Sequence, residues 1–70
     1  MNIAKDNRDT DIAMWRTFLA LADENDFGPA MDAVSVEFGE EPTWLVEVYL
    51  GIADPCFTYG DGVIVNFKEI

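Results

Sequence analysis

Between Thr17 and Phe67 the chain carries ten acidic side chains and not one basic residue. The four cations, Lys5, Arg8, Arg16 and Lys68, stand near the two ends, and the formal net charge is -10 over 70 residues. Compact chains usually intersperse both signs, because unrelieved like charge repels itself and weakens the folded state. A chain of this kind either tolerates that cost or uses the field.

Half of the residues are hydrophobic and 13% are aromatic. Acidic disordered tails lack the aromatic and β-branched residues that build a core, so this chain is expected to fold. Its size allows one small domain with a modest core, since a chain this short buries only about 60% of its unfolded surface. The single Cys56 leaves no internal disulfide to compensate, and an intracellular (cytoplasmic) home follows as the simplest expectation. The first nine residues, MNIAKDNRD, hold no apolar run of the signal-peptide type. No stretch approaches the ~18 apolar residues of a membrane span.

Residues 1–9 read as a flexible N-terminal tail and 10–70 as a single compact domain. Asp9 or Thr10 offers an N-cap for a helix over about 10–25. There Ile12, Trp15, Leu19 and Ala22 recur at helical spacing, with Met14, Phe18 and Leu21 widening the stripe. Gly28-Pro29 opens a second helical pattern through Ala30, Met31, Val34 and Phe38, and Gly39 suits its end. Val34, Val36 and Phe38 also fit alternate strand positions, but the helix is preferred. Residues 43–50 stay open. Pro42 and the spacing of Trp44, Leu45, Val48, Tyr49 and Ile52 favour a helix, whereas β-branched and aromatic content favours a strand. Last, Gly60-Asp61-Gly62 between two apolar runs predicts a β-hairpin pairing Tyr59 with Val63 and Phe57 with Val65.

The fold expected is therefore α+β, with two to three N-terminal helices and a C-terminal β-hairpin. The alternative is an N-terminal helix packed on a three-stranded antiparallel sheet. The first order resembles a winged helix-turn-helix. Val34, Phe38, Leu45 and Val48 stand at its core positions, Ser35 where the helices approach and Gly39 in the turn. Glu40 departs from the pattern, whose turn position there is usually apolar. The DNA-reading role that this resemblance implies does not carry over. Thr43, Glu47 and Asp54 stand where base and phosphate contacts need Arg, Lys, Asn or Gln.

Catalytic and metal chemistry find little support. The chain has no His, the side chain best suited to proton transfer near neutral pH. Cys56 has neither a His partner nor a nearby cation, and one Cys supplies no zinc site. Asp23, Asn25 and Gly28 mimic the opening of a calcium loop, but Phe27 and Val34 fall where ligands belong. No enzyme activity, cofactor or metal is expected. Gly60-Asp61-Gly62 lacks the Lys and the following helix of a phosphate cradle.

What remains is the acidic surface itself. It repels nucleic acid and anionic membranes, which leaves basic protein surfaces as partners. Helical geometry puts Val36 beside Asp32 and Glu40, and Val46 and Leu50 beside Glu47, off the core seams. Apolar side chains rimmed by carboxylates have the composition of a protein-binding face. Asp32, Val36, Glu37, Glu40, Glu41, Val46, Glu47 and Leu50 are its candidate residues. The profile is similar to that of phage-encoded anti-defence inhibitors, anti-CRISPR proteins and DNA mimics. That similarity implies a small inhibitor occupying the cationic surface of a nucleic-acid-binding protein or ribonucleoprotein complex. The alternative is a winged-helix-like adaptor or regulator acting through apolar contacts, for which a homodimer is one form.

Overall fold

In the computed structural model, residues 2–3 and 7–70 are described, with Asn2 and Ile3 given by backbone pairing alone. Three helices precede a two-stranded antiparallel hairpin: α1 (Arg8–Leu21), α2 (Gly28–Phe38), α3 (Trp44–Leu50), β2 (Cys56–Thr58) and β3 (Ile64–Asn66). A two-residue strand, β1 (Asn2–Ile3), pairs in parallel with β2, giving the sheet order β1-β2-β3. The chain closes with a 3-10 turn at Phe67–Glu69. Of the tail expected over 1–9, Met1, Ala4, Lys5 and Asp6 lie outside the described residues. Arg8 and Asp9 already belong to α1.

Each boundary has a local cause. The first helix starts after Asn7, whose carbonyl accepts the Asp11 amide at 2.8 Å, and no side chain caps it. Asp9 and Thr10, expected as caps, instead lie inside the helix, where Asp9 faces the positive end of the helix dipole. It ends at Leu21 rather than near residue 25, because Ala22 turns extended and Asp23 organises a turn. The Asn25 amide donates to Asp23 Oδ1 at 2.9 Å, and the Asp26 amide to the Asp23 carbonyl at 3.0 Å. Asp26 Oδ1 then accepts the Gly28 amide at 2.9 Å. Asp23, Asn25 and Gly28, which mimic the opening of a calcium loop, are thus engaged through these bonds in shaping the α1–α2 turn.

Gly39 closes α2 in the left-handed region (φ 74°), its amide donating to the Ser35 carbonyl at 2.8 Å. A Cβ there would meet nothing within 4 Å, so a substitution carries conformational strain without a clash. Gly39→Ala is expected to cost about 1 kcal/mol, the left-handed penalty of an L residue. In a domain this small, that loss lowers the melting temperature by roughly 4–8 °C. Circular dichroism melting checks it, and an unchanged midpoint would show that the connection relaxes to another conformation.

Residues 44–50 form a helix, which removes the alternative of one helix on a three-stranded antiparallel sheet. Leu45 and Val48 are both fully buried while Leu50 stays 48% exposed. A strand would have set Val48 and Leu50 on one side and Leu45 on the other. The hairpin has the expected register, with Phe57 opposite Val65 and the Tyr59 amide donating to the Val63 carbonyl at 2.9 Å.

The core gathers Met14, Trp15 and Phe18 from α1, Ala30 and Val34 from α2, and Leu45 and Val48 from α3. Phe57, Tyr59 and Phe67 close it from the C-terminal segment. Trp15 is its centre. Its ring lies 6.0 Å from Phe18, 6.3 Å from Trp44 and 5.9 Å from Phe67. Trp44 continues the network to Phe57 at 4.9 Å, and Phe18 continues it to Phe27 and Tyr49 at 6.0 and 5.7 Å. The buried seam of α1 is Asp11, Met14, Trp15 and Phe18. Leu19 and Leu21, expected in the seam, are exposed.

Candidate functional site

On α2, Asp32 and Val36 stand one turn apart on the solvent side, opposite buried Ala30 and Val34. Val36 is 88% exposed, so it gains little from folding and is free to contact a partner. Glu37, also exposed, is tied to α1: Thr17 Oγ1 donates to its Oε2 at 3.0 Å. Gly39 then turns the chain, so Glu40 does not extend the Asp32–Val36 row. It lies close enough to Asp11 at the start of α1 to raise the proton affinity of that carboxyl. Glu41 follows it on the surface.

The second part of the expected face is on α3. Glu47 and Leu50 are exposed there, and Ile52 beyond the helix is 75% exposed. Val46 departs from expectation. It is half-buried and packs against the core. It is removed from the exposed apolar set. Ile52 was not anticipated there, because helical spacing had assigned it to the buried face of a longer α3. The Ile52 amide bonds the Glu47 carbonyl at 2.9 Å around Gly51 (φ 78°), which ends the helix and turns Ile52 outward.

Charge pairing leaves the acidic surface largely intact. Arg8 is engaged by Asp61 in the hairpin loop, with Nη1 2.6 Å from Oδ2. Lys68 Nζ donates to the Tyr49 carbonyl at 2.9 Å and lies 5.7 Å above that ring. Among the described residues, Asp32, Glu40, Glu41 and Glu47 have neither a cationic partner nor a hydrogen-bond donor. Arg8 and the Val63 amide hold the Asp61 carboxyl below the usual range. The Cys56 amide does the same for Asp54.

A buried pair lies next to this surface. Asp11 is 8% exposed and Tyr59 3% exposed, and the Tyr59 hydroxyl donates to Asp11 Oδ2 at 2.9 Å. Burial raises the proton affinity of Asp11, Tyr59's hydrogen bond partly opposes that, and Glu40 adds to it. Burial, together with the Asp11 bond, pushes the Tyr59 hydroxyl up as well. Asp11 is an acid within the apolar seam of α1, outside the candidate acidic face. Its spacing to Met14, Trp15 and Phe18 was the available signal.

No group of three or more metal-ligating side chains occurs among the described residues. No helix there is long and apolar enough to cross a membrane. No family model, curated protein or solved structure matches this chain.

Proposed function

We propose that this chain is a small acidic inhibitor that binds a cationic protein surface, of the kind that holds nucleic acid. One observation carries the proposal: Asp32, Glu40, Glu41 and Glu47 stand unpaired among the described residues, with Val36 exposed beside Asp32. Nucleic-acid grooves array Lys and Arg to neutralise about one charge per 1.7 Å of duplex axis. A compact domain with a net charge of -10 competes for such an array. Charge complementarity accelerates encounter, while Val36 and Leu50 add contacts that slow release. Phage-encoded anti-defence and anti-CRISPR-like inhibitors, including DNA mimics, are the functional class this composition fits. The mode is non-catalytic occupation.

The test is an affinity pulldown from the source cell and from its natural host, eluted by a salt gradient. A basic, nucleic-acid-binding protein should elute at moderate salt and compete with nucleic acid for the chain. Glu40→Lys with Glu41→Lys is expected to weaken binding at least about tenfold at 0.1 M salt, equivalent to ~1.4 kcal/mol. The difference should narrow toward 1 M, as the Debye length shrinks from about 10 Å to about 3 Å. Unchanged affinity in the double variant, measured by calorimetry on a protein with wild-type helicity, rejects the proposal.

A second reading rests on the exposure of Leu50 and Ile52 at the end of α3. Here the chain is a winged-helix-like adaptor or regulator whose contacts are apolar, and the acids only keep it dispersed. Apolar association persists at high salt, so a complex that survives 1 M salt favours this reading.

A further inference from the structure

Two ties join the start of α1 to the hairpin, and they respond to protons in opposite ways. The inner tie is the buried Tyr59 hydroxyl donating to Asp11 Oδ2 at 2.9 Å. The outer tie is exposed: Arg8, one turn before Asp11, reaches Asp61 Oδ2 at 2.6 Å in the loop that follows Tyr59. The same loop is braced by the Val63 amide on Asp61 Oδ1 at 3.1 Å and the Gly62 amide on the Tyr59 carbonyl at 2.9 Å. We propose that Asp11, Tyr59, Arg8 and Asp61 form a proton-graded joint that fastens the hairpin to α1 most tightly in mild acid.

Burial makes the carboxylate form of Asp11 expensive, and among the described residues no cation is placed to relieve it. The groups facing it from the packed elements are Tyr59 on the hairpin and Glu40 in the α2–α3 connection. Glu40 is negative and repels it. On its own helix Arg8 is the nearby cation, and Arg8 is engaged by Asp61. The amides at the start of α1 favour a negative charge there, while burial and Glu40 favour the protonated form of Asp11. Protonation removes the buried charge and still leaves an oxygen to accept the Tyr59 hydroxyl. The outer tie needs the opposite condition, because a protonated Asp61 gives up its ion pair with Arg8.

The signs then follow from proton linkage. Asp11 titrates above its ordinary 3.8 when folded, so its contribution is full below 3.8 and is lost as pH rises through the folded value. Asp61 titrates below 3.8 when folded, so its contribution is full above 3.8 and is lost as pH falls through the folded value. The two slopes meet near 3.8. There the joint is tightest.

The test uses the free protein and is independent of any partner. Carbon-13 NMR follows the carboxyl of Asp11, and amide exchange at Tyr59 and Gly62, corrected for intrinsic rate, reads opening of the hairpin. From pH 4 to 7, hairpin protection should fall about tenfold for every pH unit separating the folded and unfolded Asp11 midpoints. Asp11→Asn should hold its protection flat over that range. Glu40→Gln should move the Asp11 midpoint down, toward the ordinary aspartate value. An Asp11 midpoint at or below that value in the wild-type protein overturns the proposal without any variant. So does an Asp11→Asn protein whose hairpin keeps the wild-type pH slope.

Discussion

Trp15→Ala is expected to remove roughly half of the protein's stability at room temperature. Removing a fully buried Trp costs about 3–5 kcal/mol, from lost apolar transfer plus the cavity left behind. A domain of 70 residues has roughly 4–10 kcal/mol of stability in all. Trp15 is 2% exposed and touches rings from α1, α3 and the C-terminal turn, so no single element can collapse into the space. The chain also has no disulfide to hold it, since Cys56 is its one cysteine. Urea unfolding followed by far-ultraviolet circular dichroism should show a midpoint at about half the wild-type urea concentration or lower. Trp15→Phe should lose far less. It keeps most of the ring stack and removes the indole Nε1, a buried donor with no acceptor among the described residues. Val36→Ala, on a side chain 88% exposed, should shift stability by less than about 0.5 kcal/mol. An equal loss in Trp15→Ala and Val36→Ala would mean the aromatic network does not hold the core.

The same network explains which parts of the fold were legible in the sequence. The hairpin was, because its information is local: Gly60-Asp61-Gly62 sets the loop and the loop sets the register. Gly28-Pro29 and Gly39 marked α2 for a similar reason. Residues 44–50 were not legible, because seven residues carry little helical stability of their own. Trp44 is held by Trp15, Phe57 and Phe67, which come from both ends of the chain. That packing decides between helix and strand, and no sequence window contains it.

The acidic face divides along the same line. That Asp32 and Val36 share the outside of α2 follows from one helix and its period. Where Glu40 and Ile52 go does not, because Gly39 and Gly51 each turn the chain out of the helical row. Val46 read as exposed on helical spacing, but coverage by neighbouring elements is a tertiary property. Asp11 was the deepest omission. Its partner Tyr59 is 48 residues away, so no local pattern near the helix start marks the acid as part of a core.

That distant partner makes Tyr59→Phe the second large loss. At pH 7 the substitution is expected to cost about 1.5–3 kcal/mol, the range for a hydrogen bond to a charged group. It removes no ring volume, so the loss isolates the hydroxyl. What makes it severe is the group left behind: the Asp11 carboxylate keeps its burial and the repulsion from Glu40 but loses its donor. Without Tyr59's opposing bond the Asp11 midpoint moves higher still. The variant therefore recovers in acid, where Asp11 takes a proton and the buried charge disappears. Asp11→Asn should be nearly neutral at pH 7, because a carboxamide oxygen still accepts the Tyr59 hydroxyl. Urea midpoints at pH 7 and pH 4 decide the matter. A Tyr59→Phe penalty clearly larger at pH 7 assigns the loss to the stranded carboxylate. A penalty equal at both pH values would place it in packing around the ring, and Asp11 would then have no electrostatic part in holding the hairpin.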